Sequence, residues 1–281
     1  MAAGYQALNN AVPPTASGSG SNIAIGANAL YAITTGGQNI AIGTDALRKV
    51  TSGIRNIALG FRSLGGSDFY AGGVTTGTNN MAIGHYSLGL TTGSRNTAVG
   101  ENTGYYNTSG DGNVCIGSYS GLSLSTGSGN IAIGRDAMYV GGFVGVGRVT
   151  SSNNVAIGRS SMQQLTSGTS LVAIGFEALQ ANTTGTTSVA VGYQALKANT
   201  EGIHNVAVGN AALTANTIGT RNTALGQAAM VANTEGVRNV AVGNGALFSN
   251  STGNRNIAIG ATTMQNNSTG SDNVAVGFNA L

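Results

Sequence analysis

The five residues NIAIG at 22–26 recur at 39–43, 130–134 and 256–260, and close variants of this motif fill the chain between them. The variants are NIALG at 56–60, NMAIG at 80–84, NVCIG at 113–117, NVAIG at 154–158, and NVAVG at 205–209, 239–243 and 273–277. Most of the closing glycines are 17 residues apart. A fixed short period is typical of repeat proteins, in which each unit buries its apolar face against its neighbours. The motif therefore predicts one repeat array over residues 1–281.

Within the motif, residue types alternate in the way that a β-strand requires. The two branched aliphatic residues fall on one face and Asn and Ala on the other, and β-branched residues suit a strand. We therefore expect an all-β fold, a parallel β-solenoid (a β-roll or β-helix) of about 16 rungs with a period of about 17 residues. In this interpretation the Ile and Val side chains form the core.

The second half of each repeat is open to two interpretations. Segments such as FEALQAN at 176–182 and YQALKAN at 193–199 contain good helix formers and fit one short helical turn per rung. They also fit a second short strand whose Leu or Met points inward. Helical segments this short have little intrinsic stability, so we favour the second strand.

The motif asparagines are expected to stack on one another as an amide ladder, which would satisfy polar groups buried between the rungs. Leu171 and Ser188 interrupt this column. The asparagines that we assign to the structural ladder are Asn22, Asn39, Asn56, Asn130, Asn205, Asn222, Asn239 and Asn256.

The central alanine of the motif is unusually uniform for a position that would face solvent. We interpret this small apolar residue as a contact surface for other chains, because an exposed apolar face favours association. An intertwined or laterally packed homotrimer would bury it. The predicted subunit interface consists of Ala24, Ala41, Ala58, Ala132, Ala207, Ala241 and Ala258.

Three longer loops depart from the period, near residues 9–21, 65–74 and 139–149. Insertions in a solenoid emerge on one face, which is often the binding face. Phe69, Tyr70, Tyr139 and Phe143 give these loops aromatic side chains for surface contacts. The alternative is that the loops are spacers that pack on a neighbouring chain.

Composition and charge argue against several classes of function. Only 7% of the residues are charged and the formal net charge is +3, so the clustered basic patch of a nucleic-acid binder is missing. No apolar stretch is long enough for membrane insertion. The two histidines, His85 and His204, stand at different repeat positions, and the acids form no catalytic or metal-ligand spacing. We therefore expect no catalytic residues, no metal and no cofactor, and a protein that is not an enzyme.

The pattern NxAIGxxAL followed by NTxG resembles the repeats of bacteriophage and bacterial tail-fibre-like proteins, and its xAIGxxA core is similar to the head repeats of YadA-like trimeric autotransporter adhesins. The resemblance implies a trimeric stacked β-roll that serves as a structural and adhesive fibre shaft. Such a shaft would be extracellular, at the cell surface or in a virion fibre, with a cell-surface glycan or receptor as partner. Two alternatives are a subunit of a self-polymerising filament that stacks end to end, and a repeat-based glycan- or ice-binding solenoid.

Overall fold

The computed structural model describes residues 1–9, 20–65, 76–141 and 149–281. The chain is an all-β parallel β-solenoid with a period of about 17 residues, as the motif predicts, and the described residues contain no helix. It divides into two compact units, residues 1–150 (unit one) and residues 151–281 (unit two). Most of the three predicted loops lies outside the described residues.

Each unit stacks eight short strands in chain order. Unit one contains β1 (Ala2–Ala3), β2 (Ile23–Ile25), β3 (Ile40–Ile42), β4 (Ile57–Leu59), β5 (Met81–Ile83), β6 (Thr97–Val99), β7 (Val114–Ile116) and β8 (Ile131–Ile133). Unit two contains β9 (Val155–Ile157), β10 (Val172–Ile174), β11 (Val189–Val191), β12 (Val206–Val208), β13 (Thr223–Leu225), β14 (Val240–Val242), β15 (Ile257–Ile259) and β16 (Val274–Val276). Within each unit, consecutive strands pair in parallel with equivalent residues in register, as Ala41 with Ala58 and Ala207 with Ala224.

The second half of the rung is neither the favoured strand nor the alternative helical turn. It is a series of tight turns in which alternate residues, such as Gln194 and Leu196, have positive φ values of 55° and 52°. Within the rung, the Lys197 N–H donates to the Gln194 carbonyl and the Asn199 N–H to the Leu196 carbonyl. The N–H groups of the residues between these donors form hydrogen bonds with carbonyls of the neighbouring rungs instead. This arrangement pairs backbone groups both within and between rungs, so these buried polar groups do not need a second strand.

The interior is built from the opposite strand face to the one that we predicted. The central alanines of β2–β6 and β8–β15 are fully buried, whereas the Ile, Val and Leu residues that flank them point outward. The interior opposite each alanine is filled by the Leu or Met of the turns, for example Leu30 and Leu47 beside Ala24 and Ala41 in the core of unit one. A rung of about 17 residues encloses too little space for large side chains from both walls, so the strand contributes the small one.

The one motif that lacks this alanine supports the steric explanation. Cys115 takes the alanine position in β7, and Gly121 takes the position of the turn leucine in the same rung. A Cβ atom on Gly121 would collide with the Cys115 sulfur. The two positions therefore face each other across the interior, and a larger residue at one is accompanied by a smaller residue at the other.

Candidate assembly surface

The motif asparagines form hydrogen-bonded columns inside both units. The Asn239 backbone N–H and its side-chain Nδ2 both donate to Asn222 Oδ1, at 3.0 and 3.2 Å, and Nδ2 also donates to the Gly253 carbonyl at 2.7 Å. The same geometry joins Asn22, Asn39 and Asn56 in unit one. Each amide thus ties a strand to the strand before it and to the turn of its own rung. The eight asparagines of the predicted ladder, which belong to these columns, are Asn22, Asn39, Asn56, Asn130, Asn205, Asn222, Asn239 and Asn256.

Where the asparagine column is interrupted, the hydrogen bonding changes locally. The Leu171 N–H still donates to Asn154 Oδ1 at 2.9 Å, but the Leu171 side chain offers no acceptor to the following rung. Ser188 restores one, since its Oγ accepts from the Asn205 N–H at 3.1 Å. The Ser188 hydroxyl therefore replaces the acceptor that an asparagine amide provides in the other rungs.

Unit two has a second amide column, in the turns, that our sequence analysis did not predict. Its side chains donate Nδ2 to Oδ1 of the preceding rung, at 2.7 Å for Asn199 to Asn182 and 2.8 Å for Asn216 to Asn199. Each member also donates to the carbonyl of the glycine three residues later. The signal that could have revealed the column is its 17-residue period. The members of this second column are Asn182, Asn199, Asn216, Asn233, Asn250 and Asn267.

A third set of cross-rung bonds comes from the hydroxyl groups of the turns. Thr200 Oγ1 donates to the Thr217 carbonyl at 3.3 Å, and Thr217 Oγ1 donates to the Thr234 carbonyl at 3.1 Å. In unit one, Thr34 and Thr108 make the same bond to the next rung. These hydroxyl protons are committed to the backbone of the protein, so the threonine column does not present free donors to an outside ligand.

The outward face of the strands is apolar over both units. We call it the outer aliphatic face and define it as the residues that flank the central alanine or cysteine in β2–β8 of unit one and β9–β16 of unit two. All of them are Ile, Val, Leu or Met except Thr97 and Thr223, and none carries a charge. They are partly exposed, with Ile42 at 41% and Val208 at 39%. Contiguous exposed apolar surface of this kind typically marks an interaction site.

The alanines that we predicted as the subunit interface are not part of this surface. Each is completely buried inside its own unit, so it has no area left to present to another chain. The prediction was wrong because it placed the large aliphatics inside, although the turn leucines and methionines already fill that space. The misplaced residues are Ala24, Ala41, Ala58, Ala132, Ala207, Ala241 and Ala258.

Of the four predicted loop contacts, only Tyr139 lies among the described residues. It is half-buried, and its ring meets that of Tyr119 edge to face, with 6.2 Å between the centroids. Phe69, Tyr70 and Phe143 lie outside the described residues.

Reactive groups in the described part of the chain do not gather into a site. Burial raises the pKa of the Cys115 thiol to about 12, so the thiol stays protonated at neutral pH. No group of three or more His, Cys, Asp or Glu side chains suitable for a metal ion occurs in residues 1–9, 20–65, 76–141 and 149–281. None of the described segments forms a helix with the length and apolarity that a membrane span needs.

Comparison with models of known protein families gives no match, and comparison with curated protein sequences gives no match either. Arguments about function therefore depend on the geometry of the chain itself and on the resemblance of its repeat motif.

Proposed function

We propose that this protein is a non-catalytic structural and adhesive fibre shaft, of a phage tail fibre or a surface adhesin, whose copies pack side by side through the outer aliphatic face. The observation that carries the proposal is this uncharged face, which each of the two units presents. Leaving it in water is unfavourable, because burial of apolar surface contributes about 25 cal/mol per Å². The shaft is extracellular, at the cell surface or in a virion.

The area of the outer aliphatic face supports this assembly. With strands about 4.8 Å apart and about 10 Å long over three residues, the seven strands of the face in unit one cover about 340 Å² and the eight in unit two about 380 Å². Added together, the two faces amount to about 720 Å² of apolar surface per chain, close to the roughly 800 Å² that one partner contributes to a standard protein interface. This footprint is therefore large enough to hold copies together.

A second copy of this chain is the partner that best fits the face. The aliphatic side chains repeat with every rung, and a surface with the same repeat can match them over the whole length of a unit. Cyclic symmetry about an axis parallel to the stacking direction places equivalent rungs of different copies at the same height along the axis. Closed homo-oligomers are the usual outcome of such symmetry. We propose a trimer among these, in keeping with the resemblance to trimeric adhesin heads.

The mass of the full chain in solution tests the proposal. We expect a trimer for the wild type and a monomer for the double variant Val208→Glu/Val242→Glu, which adds two charges to the outer aliphatic face. The control is Ile218→Lys/Thr252→Lys, which adds two charges to exposed turn residues of the same rungs, beside Glu201 and Glu235 of the neighbouring rungs, and should leave the trimer intact. A monomeric wild type, or a trimer that survives in the first variant, would overturn the proposal.

Electron microscopy of the same sample separates this proposal from end-to-end polymerisation. Discrete particles of uniform length support the shaft, whereas fibres of indefinite length would favour a self-polymerising filament. The ice-binding alternative has less support, because the threonine hydroxyls that would order water donate to the protein backbone, as Thr183 Oγ1 does to the Thr200 carbonyl.

A further inference from the structure

Unit two carries a row of exposed and half-buried side chains directly after the motif glycines, at one edge of the outer aliphatic face. In chain order the row begins with Arg159, Phe176, Tyr193 and Asn210. The Arg159 guanidinium lies 5.7 Å from the centroid of the Phe176 ring. The Phe176 and Tyr193 rings stack with 5.4 Å between centroids and an angle of 13° between their planes. One face of the Tyr193 ring is therefore covered by Phe176.

The other face of the Tyr193 ring is open. Because the two rings are nearly parallel and belong to consecutive rungs, their faces are directed along the stacking direction. In the next rung, Asn210 and Ala211 occupy the positions of Tyr193 and Gln194. Because Asn and Ala are smaller than Tyr and Gln, the surface is lower there. Tyr193 is 48% exposed, and within residues 149–281 no ring other than Phe176 contacts it. We call this step the Tyr193 ledge, formed by Tyr193, Gln194, Asn210 and Ala211.

Hydrogen-bonding groups with spare capacity border the ledge. The Gln194 side chain is held in place because its Nε2 donates to Glu177 Oε2 at 2.8 Å, and the same oxygen receives the Lys197 ammonium at 2.7 Å. Gln194 Oε1 accepts no hydrogen bond from the described part of the chain. The exposed Asn210 amide has no hydrogen-bond partner there either. The exposed Tyr193 ring is thus followed by one oriented acceptor in its own rung and by one unpaired side-chain amide at the equivalent position of the next rung.

We infer that the Tyr193 ledge binds a neutral pyranose, at the end of or within a glycan. The apolar C–H face of the sugar lies on the open face of the Tyr193 ring, and its hydroxyl groups bond to Gln194 Oε1 and the Asn210 amide. A pyranose combines an apolar face with a rim of hydroxyl groups, which matches a site made of one aromatic face and a few oriented polar groups. This inference goes beyond the shaft proposal and does not require self-association.

A printed array of neutral pyranosyl glycans, probed with the full chain, tests the inference, and the strongest array ligand is then titrated against variants. We expect Tyr193→Ala to weaken its binding about tenfold, by the loss of ring stacking. Tyr193→Phe keeps the ring and should bind within about threefold of the wild type by the same reasoning. Phe248→Ala removes an exposed ring elsewhere in unit two and should change nothing.

Absence of any bound glycan on the array would overturn the inference, and so would equal affinities of the wild type and Tyr193→Ala. Equal losses in Tyr193→Ala and Phe248→Ala would do the same, because they would indicate a general surface effect. Circular dichroism and solution mass of every variant establish that the fold and assembly are retained. The shaft proposal is judged by the Val208→Glu/Val242→Glu variant alone, so the failure of one leaves the other standing.

Discussion

Two asparagines that occupy the same place in the repeat should differ in how much they stabilise the fold. Asn39 Oδ1 accepts from the backbone and side chain of Asn56, and its Nδ2 donates to the Gly53 carbonyl at 2.8 Å. Asn239 makes the equivalent bonds to Asn256 and to the Gly253 carbonyl at 2.7 Å. The difference is that the Gly253 carbonyl also accepts from Asn250 of the second amide column, at 3.2 Å. In unit one, Val50 occupies the position of Asn250 and cannot donate.

The two alanine substitutions therefore remove equivalent hydrogen bonds but leave different polar groups without a partner. Asn239→Ala leaves the buried Asn256 N–H without an acceptor, while the Gly253 carbonyl keeps its bond from Asn250. Asn39→Ala leaves both the Asn56 N–H and the Gly53 carbonyl unsatisfied, since Asn39 is the only described donor to that oxygen. An unsatisfied buried polar group costs about 1–3 kcal/mol. Asn39→Ala should therefore be about 1–3 kcal/mol more destabilising than Asn239→Ala.

Hydrogen exchange followed by mass spectrometry measures this locally, because each rung of a repeat protein can open without the whole chain. The readout is the change in opening free energy of peptides that contain Asn56 in one variant and Asn256 in the other. The double variant Asn239→Ala/Asn250→Ala removes both donors to the Gly253 carbonyl, and it also removes the bonds that join Asn250 to Asn233 and Asn267. It should therefore cost at least as much as Asn39→Ala. Equal costs for the two single variants, or a double variant that costs less than Asn39→Ala, would refute the role of the shared carbonyl.

Four further predictions concern other parts of the rung. Gly43→Ala should prevent unit one from folding normally, because φ is 133° at this position and a Cβ atom would lie 2.6 Å from the Gly60 carbonyl oxygen. The expected result is a loss of circular dichroism signal. Cys115 should resist a thiol reagent at pH 8 until the protein unfolds, in an absorbance assay. Burial raises the pKa of the Cys115 thiol from 9.0 to about 12, so the contribution of the protonated thiol to stability is complete below pH 9 and is lost as the pH rises towards 12. Denaturation at several pH values, with Cys115→Ala for comparison, measures this loss. Lys197→Met should raise the pKa of Glu177 towards its ordinary value, because the hydrogen bond from Lys197 is the main cause of its lowering; carboxyl NMR titration detects the change.

The strands could be predicted from the sequence because their signal is local and repeated. Alternating residue types in NIAIG and its variants indicate a strand, and the 17-residue period indicates that equivalent residues stack. Parallel pairing of residues such as Ile40 with Ile57 follows from those two facts alone.

The direction of each strand face could not be predicted in the same way. Alternation separates Ile23 and Ile25 from Ala24 but does not say which side is inside. We chose the larger residues by the general tendency of branched aliphatics to be buried. Here that tendency is overridden, because Leu30 and its equivalents enter the same narrow interior from the turns. The correct signal was the uniformity of the alanine, which reflects a steric limit inside the rung.

The hydrogen-bonded columns also explain how the repeat tolerates changes in length. The rung between Gly60 and Gly84 has 24 residues and the next has 16, yet Ala58 still pairs with Ala82 and Ala82 with Ala98. A strand of three residues specifies its register weakly, because the flanking aliphatics on its outward face are interchangeable. The amide of Asn80 accepts only in one register, where its Oδ1 receives the N–H of the following asparagine. The strand register is therefore kept when the length of the rung changes, and in the proposed shaft the segments between strands could vary in length without altering the outer aliphatic face.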